Sequence, residues 1–375
     1  MINQNESLYF STTEKFMNSI KNLNPAEKIK PIDILCGPKA SLNSKSAFYT
    51  AYFLRHYLNL NVSKKIISNI ENSIRKKSKS LEEGGTYPVP SYNCDKLLPK
   101  DFKEIFLKSQ SPVVIKGLAK NWPCVKTWSP SFFSDHYGQE MVRTRLLASQ
   151  NSSEGLEAMN IPMKDLCDDI KNDGEMQGAA LEDIIVKHQS LKSHLQTDEL
   201  QKYIKGHFLG KIIATQIYMS GSKARSAFHC APGGNLFIQV YGRKKWTFVN
   251  PKHTIWMQPF RRNDMISAGS SADSRLNAAQ NDENGHDLFK YIPKYEIDLE
   301  PGDVLFSPQW WWHEVDNHSP AIGVACRFLT NIFANNPAFT LTSFFDLNSI
   351  KLNIQLMSKG HGSDAILSKS LFPTK

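Results

Sequence analysis

The sequence has few cysteines, and none of the six forms a Cys-x-x-Cys pair. This pattern argues against a disulfide framework and against a structural zinc site, so each thiol is expected to be a small buried hydrophobe. No run of roughly 18 apolar residues is present, and no membrane span is therefore expected. The first residues, MINQNESLYF, lack the basic start and apolar core of a signal peptide. A cytoplasmic location is the default expectation.

Acidic residues are scarce at the start of the chain. Residues 1–80 contain 13 Lys and Arg against 5 Asp and Glu, and so carry nearly all of the net charge of +9. A basic segment of this kind could meet an acidic partner such as a nucleic acid, an acidic peptide or a membrane surface. A solvated helical face is the simpler interpretation, and no nucleic-acid-binding motif is found.

Hydrophobic content of 41% over 375 residues is enough for a large core and for more than one domain. Residues 1–80 are predicted to be helical, because isoleucines recur at helical spacing among basic residues from Ile66 to Ile74. The Gly, Pro and Ser of SKSLEEGGTYPVPS, at 78–91, indicate a linker. We place a boundary near residue 85.

Short β-branched and aromatic runs replace the helical periodicity after this boundary. Strands are predicted at 111–117, 211–219, 235–241, 245–249, 303–308 and 321–329. Helix is predicted over 150–205 and again from about 338, and Gly242-Arg243 is predicted to form a hairpin turn. The polar, Gly/Ser-rich stretch 265–285 is typical of a functional or mobile loop. Many short strands with few helices between them favour an antiparallel barrel or jelly roll.

Two histidines have corresponding positions beside predicted strands. His229 enters a turn ahead of NLFIQVY, and His313 directly follows DVLFSP. A mononuclear iron oxygenase holds its metal with two imidazoles and one carboxylate, which leaves positions for co-substrate and oxygen. A His-x-Asp/Glu motif suits this task because alternate residues of an extended segment point the same way. Two residues after His229, however, stands Ala231.

The segments SAFHCAPGGNLFIQVYGRKKWTFVNP and LEPGDVLFSPQWWWHEVDN resemble the Jumonji C / cupin-like family of iron(II)- and 2-oxoglutarate-dependent oxygenases. SPVVIKGLAKNWPCVKTWSP resembles the strand and loop that open that domain. The resemblance covers roughly residues 90–335 and implies a mainly β fold with helices, of the α+β class. We therefore expect a double-stranded β-helix of the cupin or jelly-roll type at 86–337. A basic helical region at 1–85 precedes it, and a C-terminal helical extension follows at 338–375.

The resemblance also implies roles for individual residues. The histidines at 229 and 313 match the two that bind Fe(II). Four further residues are expected to contribute to the 2-oxoglutarate site. Lys244 matches the lysine that pairs with the distal carboxylate of 2-oxoglutarate, and Ser226 matches a hydroxyl residue that helps to bind the same carboxylate. Asn235 matches an amide residue on the co-substrate side, and Phe237 resembles an aromatic residue that lines the pocket. A buried carboxylate needs a fixed positive charge beside it, which the lysine supplies.

Arg327 is a candidate on its own pattern. In AIGVACRFL one face carries Gly323, Ala325 and Arg327, and small residues beside a long cation suit a cavity that accepts an anion. Exposure on an edge strand is the competing interpretation.

Ala231 is a departure from the family pattern, because a methyl group cannot ligate iron. Cys230 and Glu314 are adjacent to the histidines, but neighbouring residues of an extended chain point away from each other. Three interpretations remain. In the first, iron chemistry is lost and the barrel serves as a binding module. In the second, the two histidines still hold Fe(II), with water or a halide in the vacant position. In the third, a carboxylate from elsewhere in the chain takes the place of the missing ligand.

Together these observations predict an Fe(II)- and 2-oxoglutarate-dependent oxygenase that oxidises a C–H bond, by hydroxylation or as a halogenase-like variant. The alternative is a catalytically inactive binding protein on the same scaffold. The expected partners are a peptide or small-molecule substrate, an acidic partner of the basic N-terminal region, and a second copy joined through the C-terminal helices. No membrane partner is expected.

Overall fold

The computed structural model describes residues 29–32, 37–58, 60–146, 158–181, 183–206, 210–261, 268–329, 331 and 333–344. Two compact units are distinguished, Met1–Lys30 and Pro31–Lys375. The features described below belong to the second unit. The helix predicted for the first 28 residues, and most of the C-terminal extension, lie outside the described residues. The boundaries near 85 and 337 stay predictions.

Two helices precede the β domain, α1 (Leu42–His56) and α2 (Val62–Ser78). Helix α1 begins at Ser41, whose side chain accepts a hydrogen bond from the backbone N–H of Ser44 and so caps the first turn. Ile67 and Ile74 of α2 are buried in a hydrophobic cluster shared with residues of the β domain. The isoleucine periodicity therefore marks the packed face of a real helix, although Ile66 is 38% exposed.

The remaining helices are short and connect or flank the strands. They are α3 (Pro99–Phe102), continued by one π-helical turn (Lys103–Leu107), α4 (Pro123–Thr127), α5 (Pro130–Tyr137), α6 (Met163–Lys171), α7 (Asp183–Lys187), α8 (Gln189–His194), α9 (Thr197–Ile204), a 3-10 helix (Pro251–Met257), α10 (Ala278–Glu283), a second 3-10 helix (Phe289–Tyr291) and α11 (Pro337–Phe344).

Sixteen strands are found in the described part of the chain. They are β1 (Thr86–Pro88), β2 (Ser91–Asn93), β3 (Val113–Lys116), β4 (Met141–Leu146), β5 (Ala158–Pro162), β6 (Met176–Leu181), β7 (Ile212–Ser220), β8 (Arg225–Cys230), β9 (Gly234–Tyr241), β10 (Lys244–Val249), β11 (Phe260–Arg261), β12 (Ala268–Gly269), β13 (Lys294–Leu299), β14 (Val304–Ser307), β15 (Trp312–Asn317) and β16 (Ala321–Phe328).

The strands form two sheets with a hydrophobic core shared between them. One sheet has seven strands in the order β1-β13-β10-β15-β8-β12-β11, and the other has nine in the order β2-β3-β14-β9-β16-β7-β6-β4-β5. The core cluster joins Trp246 and Phe248 of the first sheet to Phe237 and Ala325 of the second. Most of the pairing is antiparallel between non-consecutive strands. The predicted double-stranded β-helix of α+β class is confirmed.

The structure corrects three local predictions. Residues 150–205 are not helical throughout, because β5 and β6 lie among the helices and extend the nine-stranded sheet beyond β7. His229 precedes β9 and His313 follows β14 as predicted, but the two histidines also lie in strands of their own, β8 and β15, which were not predicted. The 265–285 stretch contains β12 and α10. In each case pairing with a distant strand or tertiary packing decided the local structure.

Gly242-Arg243 does not make a hairpin. Strand β9 pairs with β14 and β16, whereas β10 pairs with β13 and β15, so this turn carries the chain from one sheet to the other. Gly242 has φ +67° and its α-carbon faces the carbonyl oxygen of Pro320, which lies 2.0 Å from where a β-carbon would stand. Only glycine fits this corner without a shift of the backbone.

In the described ranges, no helix combines the length and the apolar character needed to cross a bilayer.

Candidate functional site

The two candidate metal histidines face each other across neighbouring strands. His229 of β8 and His313 of β15 are register partners, and their ring centroids are 4.3 Å apart. The Nδ1 atom of His229 lies 3.0 Å from the carbonyl oxygen of Ala227, and that of His313 lies 2.9 Å from the carbonyl oxygen of Trp311. When Nδ1–H donates to these carbonyls, the neutral ring carries its lone pair on Nε2, the arrangement typical of metal-binding histidine.

A β-bulge interrupts the regular pairing of β8, the strand that carries His229. Between the register pairs His313–His229 and Val315–Ser226, β8 has one residue more than β15. The extra residue changes the alternation of side chains along β8. The hydroxyl oxygen of Ser226 accepts a hydrogen bond of 3.0 Å from the backbone N–H of Val315. The predicted co-substrate hydroxyl therefore lies at this irregular part of the ladder, directly beside the histidine strand.

The structure brings no third ligand of the usual kind to this pair. Ala231 follows the last residue of β8, and its carbonyl oxygen accepts a hydrogen bond of 2.9 Å from the backbone N–H of Trp310. Over the described ranges, no group of three or more His, Cys, Asp or Glu residues is arranged to hold a metal ion. Two imidazoles can bind Fe(II), but a complete two-histidine, one-carboxylate site is not formed by these residues.

Neither neighbour of the histidines replaces the carboxylate. Cys230 is buried in the cluster that contacts α1 and α2. Glu314 is buried and accepts a hydrogen bond from the backbone N–H of Ser274 at 3.3 Å and another from the Ser274 hydroxyl. Burial raises the pKa of Glu314 to about 8, offset in part by the Ser274 hydrogen bond. The structure therefore agrees with the expectation that Cys230 and Glu314 point away from the histidine pair.

Lys244 is a buried cation at the other end of the same inner face. It is 4% exposed, and its Nζ donates to the Oδ1 atom of Asn317 over 2.6 Å. Asn317 is held in turn, because its Nδ2 donates to the Ser220 hydroxyl at 2.9 Å and to the Gly221 carbonyl at 2.8 Å. Burial lowers the pKa of Lys244 to about 7. A bound carboxylate would stabilise the charged form of this lysine.

Asn235 provides a second buried polar group at the candidate site. It is 7% exposed on β9, and its Oδ1 atom is buried with no hydrogen-bond partner in the described part of the chain. Its register partners are Ser307 and Arg327. A buried polar atom of this kind calls for a ligand or an ordered water. An amide oxygen is an acceptor and calls for a donor, so of Asn235 and Lys244 it is the lysine that can pair with an anionic ligand.

Arg327 lies on an internal strand, since β16 pairs with both β7 and β9. The edge-strand interpretation is therefore wrong. Its guanidinium donates to Gln216 Oε1 and to the Tyr218 hydroxyl, the latter over 3.2 Å. The small residue Gly323 on the same strand does not leave an open cavity. A β-carbon there would stand 2.1 Å from Cζ of Phe237, so the phenyl ring fills that space.

Trp246 is a site residue that the sequence analysis missed. Its ring stacks on His313 with a centroid distance of 5.4 Å and an interplanar angle of 23°, and its centroid is 4.9 Å from that of Phe237. The alternation of Lys244, Trp246 and Phe248 along β10 was the available signal, because it places the tryptophan on the face of the predicted co-substrate lysine.

The chain is similar in sequence to known proteins. A cupin-like domain matches residues 99–334, which is more than half of the chain. Lysine-specific demethylase 8 of Xenopus tropicalis is 24% identical over 234 residues, covering 60% of this chain and 49% of the relative. Jumonji C domain-containing protein 5 of Drosophila melanogaster is 20% identical over 257 residues, covering 63% and 59%.

HSPB1-associated protein 1 of Homo sapiens is 35% identical over a shorter stretch of 88 residues, which is 24% of this chain and 17% of the relative. The matched parts thus span between about a sixth and three fifths of the relatives' own lengths. The range matched by the cupin-like domain includes His229, Lys244 and His313. With its two-sheet architecture and the match over 99–334, the chain belongs to the Jumonji C / cupin-like family.

Proposed function

We propose that this protein is an Fe(II)- and 2-oxoglutarate-dependent oxygenase that oxidises a C–H bond, with iron held by His229 and His313 and without a protein carboxylate. The observation that carries the proposal is the histidine pair, with ring centroids 4.3 Å apart and each Nδ1 beside a backbone carbonyl. This arrangement orients both rings before any metal arrives, and so reduces the cost of assembling a site.

In this proposal the protein's own residues bind and orient the co-substrate. Lys244 pairs with the distal carboxylate, and Asn317 holds the lysine in place through its own hydrogen bonds. Asn235 contributes a polar contact, and Phe237 and Trp246 make the surrounding wall apolar, which strengthens the charge pair by excluding water. When bound, iron and 2-oxoglutarate would supply the chemistry of dioxygen activation: dioxygen is the oxidant, 2-oxoglutarate is oxidised to succinate and carbon dioxide with one of the oxygen atoms, and in a hydroxylation the other oxygen atom goes to the substrate.

Ala231 defines which variant of this chemistry is open to the protein. Its methyl group leaves the carboxylate position to an exogenous ligand, either water or a halide. Water there is compatible with hydroxylation, and a halide is compatible with halogenation. The loss of one negative ligand also weakens metal binding and shifts the metal's redox potential.

The test is to restore the carboxylate and measure both metal and turnover. Under anaerobic Fe(II) loading, the unmodified protein should bind metal, and Ala231→Asp should bind it at least about tenfold more tightly, a gain of about 1.4 kcal/mol. Succinate release in air should rise in parallel. Ala231→Asn is the matched control, since it has the same shape without the charge. If neither the unmodified protein nor Ala231→Asp takes up metal, the proposal is wrong.

The second candidate function is a non-catalytic binding protein. It is favoured by the lack of any three-ligand metal group among the residues the structure describes. The two functions differ in one measurement. A binding protein would take up 2-oxoglutarate, as judged by calorimetry, yet release no succinate above the background of a Lys244→Met variant.

The proposed substrate is a peptide or a small molecule, and the relative named as a lysine-specific demethylase supports the peptide. We further propose that α2 meets an acidic partner, because Lys64, Lys65, Lys76, Lys77 and Lys79 are all exposed. Affinity for a poly-glutamate probe should then fall steeply with added salt, and should be lost when four of these lysines are changed to Glu. Salt-independent affinity would contradict this.

Two further expectations belong to the proposal. A homodimer through residues 338–375 rests on a segment of which only α11 is described, and sedimentation of the chain with and without residues 338–375 tests it. A cytoplasmic location is supported by the five cysteines among the described residues that are not disulfide-bonded, at 94, 124, 167, 230 and 326. Imaging of a tagged chain tests that location.

A further inference from the structure

The indole N–H of Trp246 is a buried donor without an acceptor. The residue is 4% exposed, and Nε1 has no hydrogen-bond partner among the described residues. Four other tryptophans donate to an acceptor within 3.1 Å, at positions 128, 310, 311 and 312. Buried donors are nearly always satisfied in folded proteins, and an exception calls for a specific explanation. A ligand that supplies the acceptor is one such explanation.

The position of Trp246 indicates which ligand this is. Lys244, Trp246 and Phe248 occupy alternate positions of β10, and Phe248 is the register partner of His313. Two residues of a strand span about 7 Å. The indole therefore lies on the same face of β10 as the buried Lys244 and is in stacking contact with His313. A molecule that reaches from the lysine to the histidines must pass beside it.

The surroundings leave few other groups to accept this hydrogen. Trp246 stacks on His313 and contacts the rings of Phe237 and Phe248, with centroid distances of 4.9 Å and 5.7 Å. Aromatic rings are weak acceptors, whereas a carboxylate or keto oxygen is a strong one. The ring contacts of Trp246 thus include no strong acceptor apart from the His313 nitrogen that the proposed function assigns to the metal, and the indole N–H would help to fix the orientation of an anionic ligand.

We infer that Trp246 is a binding residue for the co-substrate, whose indole N–H donates a hydrogen bond to an oxygen of the 2-oxo dicarboxylate held by Lys244. The inference rests on the proposed function, because it takes 2-oxoglutarate to be the ligand of Lys244. It adds a contact from the seven-stranded sheet to those expected from Ser226 and Asn235. Trp246 also links the co-substrate to the metal end through its stacking on His313.

The test compares two Trp→Phe variants by anaerobic calorimetry with 2-oxoglutarate. Trp246→Phe keeps an aromatic ring and removes the donor, and should weaken binding by about 10- to 100-fold, as expected for a hydrogen bond to a charged acceptor. Trp256→Phe is the matched control. Its Nε1 is also buried without a partner in the described residues, but the residue lies in the other hydrophobic cluster. Its affinity should equal that of the unmodified protein.

A second measurement does not depend on a variant that folds well. In the ¹⁵N-labelled protein, 2-oxoglutarate should move the Trp246 indole resonance downfield and slow its hydrogen exchange. The resonance is assigned by its loss in Trp246→Phe or, if that variant is unfolded, by elimination with Phe variants of the other tryptophans. Equal affinities of Trp246→Phe and the unmodified protein, or an unmoved resonance at saturation, overturn the inference. A lack of 2-oxoglutarate binding by the unmodified protein overturns the proposed function itself.

Discussion

His229 and His313 are direct register partners on antiparallel strands, and each ring is oriented by the carbonyl oxygen two residues before it in sequence. The two side chains therefore lie in one environment although they are far apart in the sequence. Such a pair is pre-arranged by the sheet, so removing either ring should affect metal binding far more than folding.

His313→Ala is expected to abolish Fe(II) binding, because one remaining imidazole is too weak a site. His318→Ala is the control, since His318 lies just beyond the same strand and forms an exposed pair with Asp298 at 2.8 Å. Metal content after anaerobic loading and desalting measures both. Undiminished iron in His313→Ala would show that the histidine is not a ligand.

Lys244→Met is expected to lose 2-oxoglutarate binding while the fold is retained. Replacing the buried cation with an apolar chain of similar length removes a desolvation cost but leaves Asn317 Oδ1 without its donor, so the two effects oppose each other and the free energy of unfolding should change by no more than about 1–3 kcal/mol. Lys245→Met is the control, because Lys245 lies on the opposite face of β10 and pairs with Glu296 at 2.8 Å. Calorimetry and urea unfolding would separate the effects. Equal 2-oxoglutarate affinity in Lys244→Met and the unmodified protein would refute the assignment.

The affinity for 2-oxoglutarate should fall as pH rises above 7. Burial lowers the pKa of Lys244 from 10.5 to about 7, so the free protein loses this positive charge above pH 7, and an anion must then bind together with a proton. The affinity should decrease by up to about tenfold per pH unit between about pH 7 and pH 9. Calorimetry in buffers of different ionisation enthalpy would detect the proton uptake. A flat pH profile would argue against a charged Lys244 in the complex.

The same shift has a consequence for stability in the absence of ligand. The folded-state pKa of Lys244 is below its unfolded value of 10.5, so the folded protein releases this proton first as pH rises. The cost of burying the charge is therefore full below pH 7 and disappears as pH rises towards 10.5. The free energy of unfolding of Lys244→Met, minus that of the unmodified protein, should decrease over this window. A difference independent of pH would contradict this account.

Gly323→Ala should destabilise the barrel through Phe237. A β-carbon at 323 would stand 2.1 Å from the phenyl Cζ, and Phe237 is itself packed on Trp246, so the overlap is not easily relieved. The expected loss is about 1–3 kcal/mol in the free energy of unfolding. In a Phe237→Leu background the loss should be smaller, because the shorter side chain leaves room for the methyl group. Equal losses in the two backgrounds, measured by urea unfolding, would show that the two residues are not coupled.

The sequence by itself determined the class of fold and most of the candidate site. Apolar runs of strand length predicted β3, β7, β9, β10, β14 and β16, because buried strands need such residues whatever their partners are. The expected roles of Lys244 and Asn235 came from the family resemblance, because the two residues and His229 lie on three different strands and alternation along one strand cannot relate them. The missing carboxylate ligand at Ala231 could also be read from the sequence, because the residue type alone shows that a methyl group cannot bind a metal.

Only the tertiary structure decided how these pieces meet. Strands β5 and β6 have weak local signals and exist through pairing with β4 and β7. Gly242 looks like a hairpin residue in sequence, but the strands it joins pair with distant partners and belong to opposite sheets. The 4.3 Å approach of the histidine rings, the burial of Lys244 and the unmet donor of Trp246 depend on packing between segments far apart in the chain. The periodicity of a segment gives no information on such distances. It indicates on which face of a strand or helix a residue lies, but not which other segments pack against that face.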